Sequence, residues 1–250
     1  TYILYMRLSI KNNKVKKYRK TKKQFGGNSP LGERMSKIKK YNSVDHPLSK
    51  FIKKKLGDKY LLVINSSNNN LINFENIYIN CFIDKMLEIL RFSFEREKEY
   101  HISLGNYSEG YEYSTSNIIY NLQNSKYITV ILTDLELVPI SFLYIEMLSD
   151  DYDKMWTVCS DKAKRGEGNS SIVVDNAIKE HKKSKRNGLL LEVYNDNVIG
   201  RKDNDPLQED IVKHFINRGF KVKNRNELNE YTRSNLLSPK DETKVMVMDF

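Results

Sequence analysis

Six residues in the middle of the chain, Arg165-Gly166-Glu167-Gly168-Asn169-Ser170, carry the clearest chemical signal. They combine a fixed positive charge with two glycines, directly before an apolar-periodic stretch that starts at Ile172. A helix start leaves backbone N–H groups unpaired and carries a partial positive charge. Glycines let an anion approach the backbone, and a guanidinium adds a full charge. The expected ligand is a pyrophosphate. Two carboxylates, Glu192 and Glu146, are candidates for moving a proton, because each sits in an otherwise apolar, strand-like run. Burial in such a setting raises a carboxylate pKa toward a range useful in catalysis. An equal claim for Glu192 is the polar face of an alternating strand.

These residues need a frame. Residues 154–160, Lys-Met-Trp-Thr-Val-Cys-Ser, read as a strand feeding the glycine turn, and 169–184 as the helix that follows. A strand at 189–194, a helix at 206–217 and strands near 220–222 and 245–250 come next. Upstream, a strand is expected at 59–64 and a helix at about 74–98, where Ile79, Phe82, Met86, Leu87, Ile89 and Leu90 fall near one face. A short helix is expected at 114–124, and strands at 127–133 and 138–148, with Pro139 marking an edge or a bulge. Hairpin-linked strands followed by βαβ units predict an α/β (α+β) mixed sheet, mostly antiparallel, with helices on both faces.

Three motifs together resemble a known family. Arg165 and Gly168 match the Arg/Gln-x-x-Gly-x-Gly/Ala signature of the GNAT N-acetyltransferase superfamily, with Ser170 where Gly or Ala is usual. The strand Leu190-Leu191-Glu192-Val193-Tyr194-Asn195-Asp196-Asn197 is similar to the family's Leu-Glu-Val-x-x-x-Asn strand. Asp210 to Phe220 resembles the next helix, which usually ends in Tyr-x-x-x-Gly-Phe. The likeness is best over residues 127–222.

That resemblance implies an acetyltransferase fold, acetyl-CoA as the acyl donor, and direct attack by an amine in a ternary complex. The coenzyme would lie against Trp156, Thr157, Val158, Cys159, Arg165, Gly166, Glu167, Gly168, Asn169, Ser170, Asn197 and Phe215. The strand Trp156–Cys159 would offer backbone N–H groups to the thioester and pantetheine. Glu192 would be the first candidate base and Glu146 the second, either acting through a water. Phe215 occupies the position of the tyrosine that often protonates the leaving thiolate, and it has no proton to give; Tyr194 is the substitute if it faces the cleft, and otherwise solvent supplies the proton. The acceptor would be a protein amino terminus, a lysine or a polyamine. The rival reading is an inactive acetyltransferase fold serving as a structural or nucleic-acid-binding protein.

Charge divides the chain. Residues 1–55 hold 17 Lys and Arg against 2 Asp and Glu; the whole chain is +10, so residues 56–250 carry −5. A disordered basic arm at 1–55 and an acetyltransferase-like domain at 56–250 are therefore expected. Residues 11–55 suit nucleic acid or an acidic partner. Cys81 and Cys159 make no disulfide framework, and His46, His101, His181 and His214 are scattered without metal-ligand spacing. No apolar run reaches membrane-spanning length, and the opening residues are too short for a signal-peptide core. An intracellular setting follows, cytoplasm or nucleus. Alanine is confined to Ala163 and Ala177 while Asn, Ile, Lys and Tyr abound, the bias an AT-rich genome imposes, such as that of a large DNA virus or an AT-rich protist; for a virus, a virus factory or virion is the alternative location.

Overall fold

The computed structural model describes residues 46–95, 114–148, 152–183, 188–194, 207–234, 236 and 243–250. Two strands open it, β1 (Ile52–Leu56) and β2 (Lys59–Ile64). Helices α1 (Ile77–Ser93) and α2 (Thr115–Gln123) follow. Next come β3 (Tyr127–Asp134), β4 (Pro139–Glu146) and β5 (Tyr152–Ser160). The remaining elements are α3 (Asn169–Lys182), β6 (Gly188–Tyr194), α4 (Gln208–Ile216), β7 (Lys221–Lys223), the short α5 (Glu230–Ser234) and β8 (Thr243–Asp249). The strands form one sheet in the order β1-β2-β3-β4-β5-β6-β8-β7. Every pairing is antiparallel except that of β5 with β6.

Local chemistry sets the helix starts. Asn76 caps α1 by accepting from the Tyr78 N–H at 2.9 Å, and Ser114 caps α2 by accepting from the Asn117 N–H at 3.2 Å. Strand alternation then divides the core between two faces. Phe142 and Tyr144 of β4 point to the side covered by α1 and α2, where they meet Phe82, Ile83, Met86 and Ile118. Leu143 and Ile145 point to the other side, against Val173, Val174 and Ala177 of α3 and Phe215 of α4. Full burial of one such side chain stabilises by about 1.5–3 kcal/mol, so the two layers fix the sheet between the helices.

The order begins earlier than the basic composition predicts. Residues 52–55 belong to the segment expected as a disordered arm, yet with Leu56 they form the sheet's edge strand, paired with β2. Lys53, Lys54 and Lys55 are exposed along it, and a lysine-rich edge discourages pairing with another chain. Residues 1–45, most of that arm, lie outside the described residues. Between β7 and β8, a polar stretch contains a 3-10 turn at Arg225–Glu227 and then α5. Leu228 and Leu236 from it cover Leu190, Val245 and Val247. Among the described residues no helix is long and apolar enough to cross a membrane.

Candidate functional site

The site is built where two neighbouring strands part. β5 and β6 pair in parallel through three residues each, Tyr152–Gly188, Asp153–Leu189 and Lys154–Leu190. Beyond that point β5 runs on to Ser160 beside β4, while β6 runs on to Tyr194 beside β8. The gap between them is V-shaped, walled by residues 155–160 and 191–194. A bulge reshapes the β5 wall. Phe142 faces Cys159 and Tyr144 faces Trp156, so Thr157 and Val158 together oppose Leu143. Thr157 takes φ 40, a left-handed backbone that a β-branched residue adopts only at a cost.

The open end of the V leads to the glycine turn. Asp161 caps a 3-10 turn at Lys162–Lys164 by accepting from the Ala163 N–H at 2.9 Å. Gly166 and Gly168 have φ 82 and 73, positions where a side chain would be strained. Gly168 is the N-cap of α3 and offers no side-chain cap, so the first-turn N–H groups of the helix point outward into the turn. Asn169 is buried and pins the turn, donating to the Lys164 carbonyl at 2.9 Å and accepting from Lys59 Nζ at 2.8 Å. Glu167 is exposed; the Asn169 amide and Lys59 hold its carboxyl below the usual range. Arg165 lies at the surface with its guanidinium carbon 4.8 Å from the centre of the Phe92 ring.

The order of strands and helices that frames this site has counterparts among solved structures. An acetyltransferase from Streptococcus agalactiae 2603 is similar with a TM-score of 0.51 at 13% identity, over 78% of this chain and 100% of its own. A GNAT-family acetyltransferase from Staphylococcus aureus Mu50 is similar with a TM-score of 0.50 at 14% identity, over 76% of this chain and 98% of its own. The chain has the GNAT acetyltransferase fold. No protein-family model matches the sequence, and no curated protein matches it.

In this GNAT fold the remaining site residues fall on one face of the sheet, the side of α1 and α2. Lys154 and Trp156 of β5, Tyr144 and Glu146 of β4 and Glu192 of β6 share it. Glu192 has both oxygens engaged: Lys154 Nζ lies 2.8 Å from Oε2, and Arg225 Nη2 lies 3.0 Å from Oε1. Its side chain is 7% exposed. Burial pushes the Lys154 ammonium below the usual lysine range, against the opposing pull of Glu192 and Glu146. Glu146 is half-buried and accepts from Trp156 Nε1 at 2.8 Å through Oε2. Among the described residues no second donor binds Glu146. Tyr194 ends β6 on the Glu192 face and is half-buried.

Two expected contacts sit differently. Phe215 is buried between α4 and the sheet, its ring 5.4 Å from that of Phe220. Cys159 is buried, its thiol pushed well above its ordinary pKa by desolvation, which suits packing and not nucleophilic attack. Asn197 lies outside the described residues. Sequence reasoning missed Lys154, Arg225 and Lys59, which act as long-range partners and carry no local motif.

Proposed function

We propose that the chain is an acetyl-CoA-dependent N-acetyltransferase. The observation that carries this reading is the alignment of two anion- and carbonyl-binding devices along one line: the left-handed glycine turn at the start of α3 and the bulged, unpaired edge of β5. The turn fits a pyrophosphate. Its first-turn N–H groups and the Arg165 guanidinium supply the donors, and Gly166 and Gly168 keep side chains out of the way. The β5 edge from Met155 to Cys159 has N–H groups that β6 no longer satisfies, and these suit the pantetheine amides and the thioester oxygen. Acetyl-CoA supplies an activated acyl group with a good leaving thiolate. Trp156, Thr157, Val158, Gly166, Glu167, Asn169 and Ser170 line this path, with Cys159 contributing only its backbone.

The chain's own residues then have to manage protons. An amine attacks only when neutral, so a base must take one proton from the incoming ammonium, directly or through a water. Glu146 fits this role: one oxygen is fixed by Trp156 and the other is available. Glu192, clamped by Lys154 and Arg225, serves as the anchor that orients Lys154 at the point where the strands part. Tyr194 is the phenol on the β6 wall and the donor to the departing sulfur, a role Phe215 cannot fill. The acceptor is a basic amine, in keeping with the −5 balance of residues 56–250.

The absence of a phenol at residue 215 favours a second reading, in which the fold binds coenzyme or another anion without transferring an acyl group. One titration separates the readings. Acetyl-CoA added to the full chain in a calorimeter should bind in the micromolar range, and Arg165→Glu should abolish that binding. A folded wild type that does not bind would overturn the proposal. Binding without acetyl release to any amine in a panel of peptides, lysines and polyamines would favour the second reading.

A further inference from the structure

The chain has a single tryptophan, and it stands between two opposite charges. Trp156 Nε1 donates to Glu146 Oε2 at 2.8 Å. Lys154 Nζ lies 4.0 Å from the centre of the same ring. That ammonium is held at 2.8 Å by Glu192 Oε2, and Glu192 Oε1 is held in turn by Arg225 at 3.0 Å. A continuous line of contacts therefore runs from β4 through β5 and β6 to the turn after β7. It crosses the sheet at the closed end of the V.

The two contacts on the indole reinforce each other. A cation over the ring is attracted to the π face and draws electron density toward it. The N–H at the ring edge becomes a stronger donor, and its bond to a carboxylate is already charge-assisted. Packing alone would not require this arrangement, since a phenyl ring would fill the same face of the sheet. Glu146 and Lys154 are register partners on adjacent strands, yet the lysine is committed to Glu192. The indole, one step along the same face, is what connects them.

We propose that Trp156, polarised by Lys154, is a positioning residue that fixes one oxygen of Glu146 and aims the other at the acceptor amine. The Lys154–Glu192–Arg225 chain keeps the ammonium over the ring. The inference rests on the acetyl-transfer reading and on Glu146 as its base.

The test uses the full chain and two readouts. The first is fluorescence excited at the red edge of the indole band, beyond tyrosine absorption, which reports on Trp156 alone. Its emission should shift in Glu146→Gln and in Lys154→Met, and return toward the wild-type position in Lys154→Arg. The second is acetyl-CoA turnover with an amine acceptor, followed by release of free thiol. Trp156→Phe and Lys154→Met should each lower kcat by about tenfold or more, a part of what a general base contributes, with KM for acetyl-CoA unchanged. In a Glu146→Gln background, Trp156→Phe should cost nothing further, because the two act as one unit. Additive losses in the double variant, or an emission spectrum indifferent to Lys154→Met, would overturn the inference while acetyl-CoA binding by the wild type still stood. Absence of acetyl-CoA binding by the folded wild type would overturn the reading beneath it and the inference with it. Should Lys154→Met fail to fold, the Glu146→Gln/Trp156→Phe pair still decides.

Discussion

Lys85 on α1 reaches across to the glycine turn and holds Asp161, its Nζ lying 2.6 Å from Oδ2. Asp161 also caps the turn through the Ala163 N–H. Desolvation pushes its carboxyl up, but Lys85 and the capping N–H outweigh that and hold it below 3.8, the ordinary value. A carboxylate whose folded pKa is depressed adds stability that is present above its unfolded pKa and is lost as pH falls through the folded one. Asp161→Asn should therefore be less stable than wild type at pH 6. The gap should narrow as pH drops below 3.8. Urea melts from pH 7 down to pH 3 would check this; a gap that stays constant would show that the ion pair contributes nothing.

Glu192 gives a second prediction. Glu192→Gln would leave Lys154 and Arg225 buried with their common counter-charge removed. Breaking a buried pair from one side costs roughly 3–5 kcal/mol, so a midpoint shift of that size in urea is expected. Lys154→Met on top of it removes one uncompensated cation and should recover part of the loss. A Glu192→Gln variant as stable as wild type would mean that water already screens the pair.

At Thr157 the backbone is at φ 40. A non-glycine residue in that region stores about 1–3 kcal/mol, partly offset in a glycine variant by the entropy glycine loses on folding. Thr157→Gly should raise stability by about 0.5–1 kcal/mol. It should also weaken acetyl-CoA binding by loosening the bulge. Thermal melts and calorimetry read the two effects separately, and a fall in stability would show that the threonine side chain holds the bulge by its own contacts.

The closed end of the V depends on Gly188. A Cβ there would meet the Met248 carbonyl and lie 2.8 and 2.9 Å from the Tyr152 ring. Neither strand can yield easily, since β6 pairs with β5 on one side and β8 on the other. Gly188→Ala should destabilise by about 1–3 kcal/mol, the usual range for overpacking. Denaturant titration would test it, and a neutral result would show that the Tyr152 ring turns aside.

The parts of this molecule that were legible in the sequence are those whose signal is local. The strand–turn–helix around Arg165 and Gly168 was readable because glycines, a basic residue and an apolar period stand next to each other in the chain. Helix α1 was readable from its apolar spacing, though it ends at Ser93 and not near 98. Strand β1 was not, because three successive lysines read as part of a disordered basic arm; only pairing with β2 reveals an edge strand. Nor was the environment of Glu192, whose partners come from positions 154 and 225. The same holds for Asn169, which meets Lys59 across a separation of 110 residues. No pattern in one stretch of chain records such meetings, since they are decided by how the sheet is ordered.

The three-rung pairing of β5 with β6 has a mechanical consequence. It makes the sheet two half-sheets, β1–β5 and β6–β8, sewn together along a short seam. Anything extended that lies in the opening and bonds to the β5 edge replaces rungs that the polypeptide does not supply. A guest of that kind is a substitute strand, and its binding energy is added directly to the resistance of the seam. The amides flanking the opening should therefore exchange slowly with solvent only when the guest is in place.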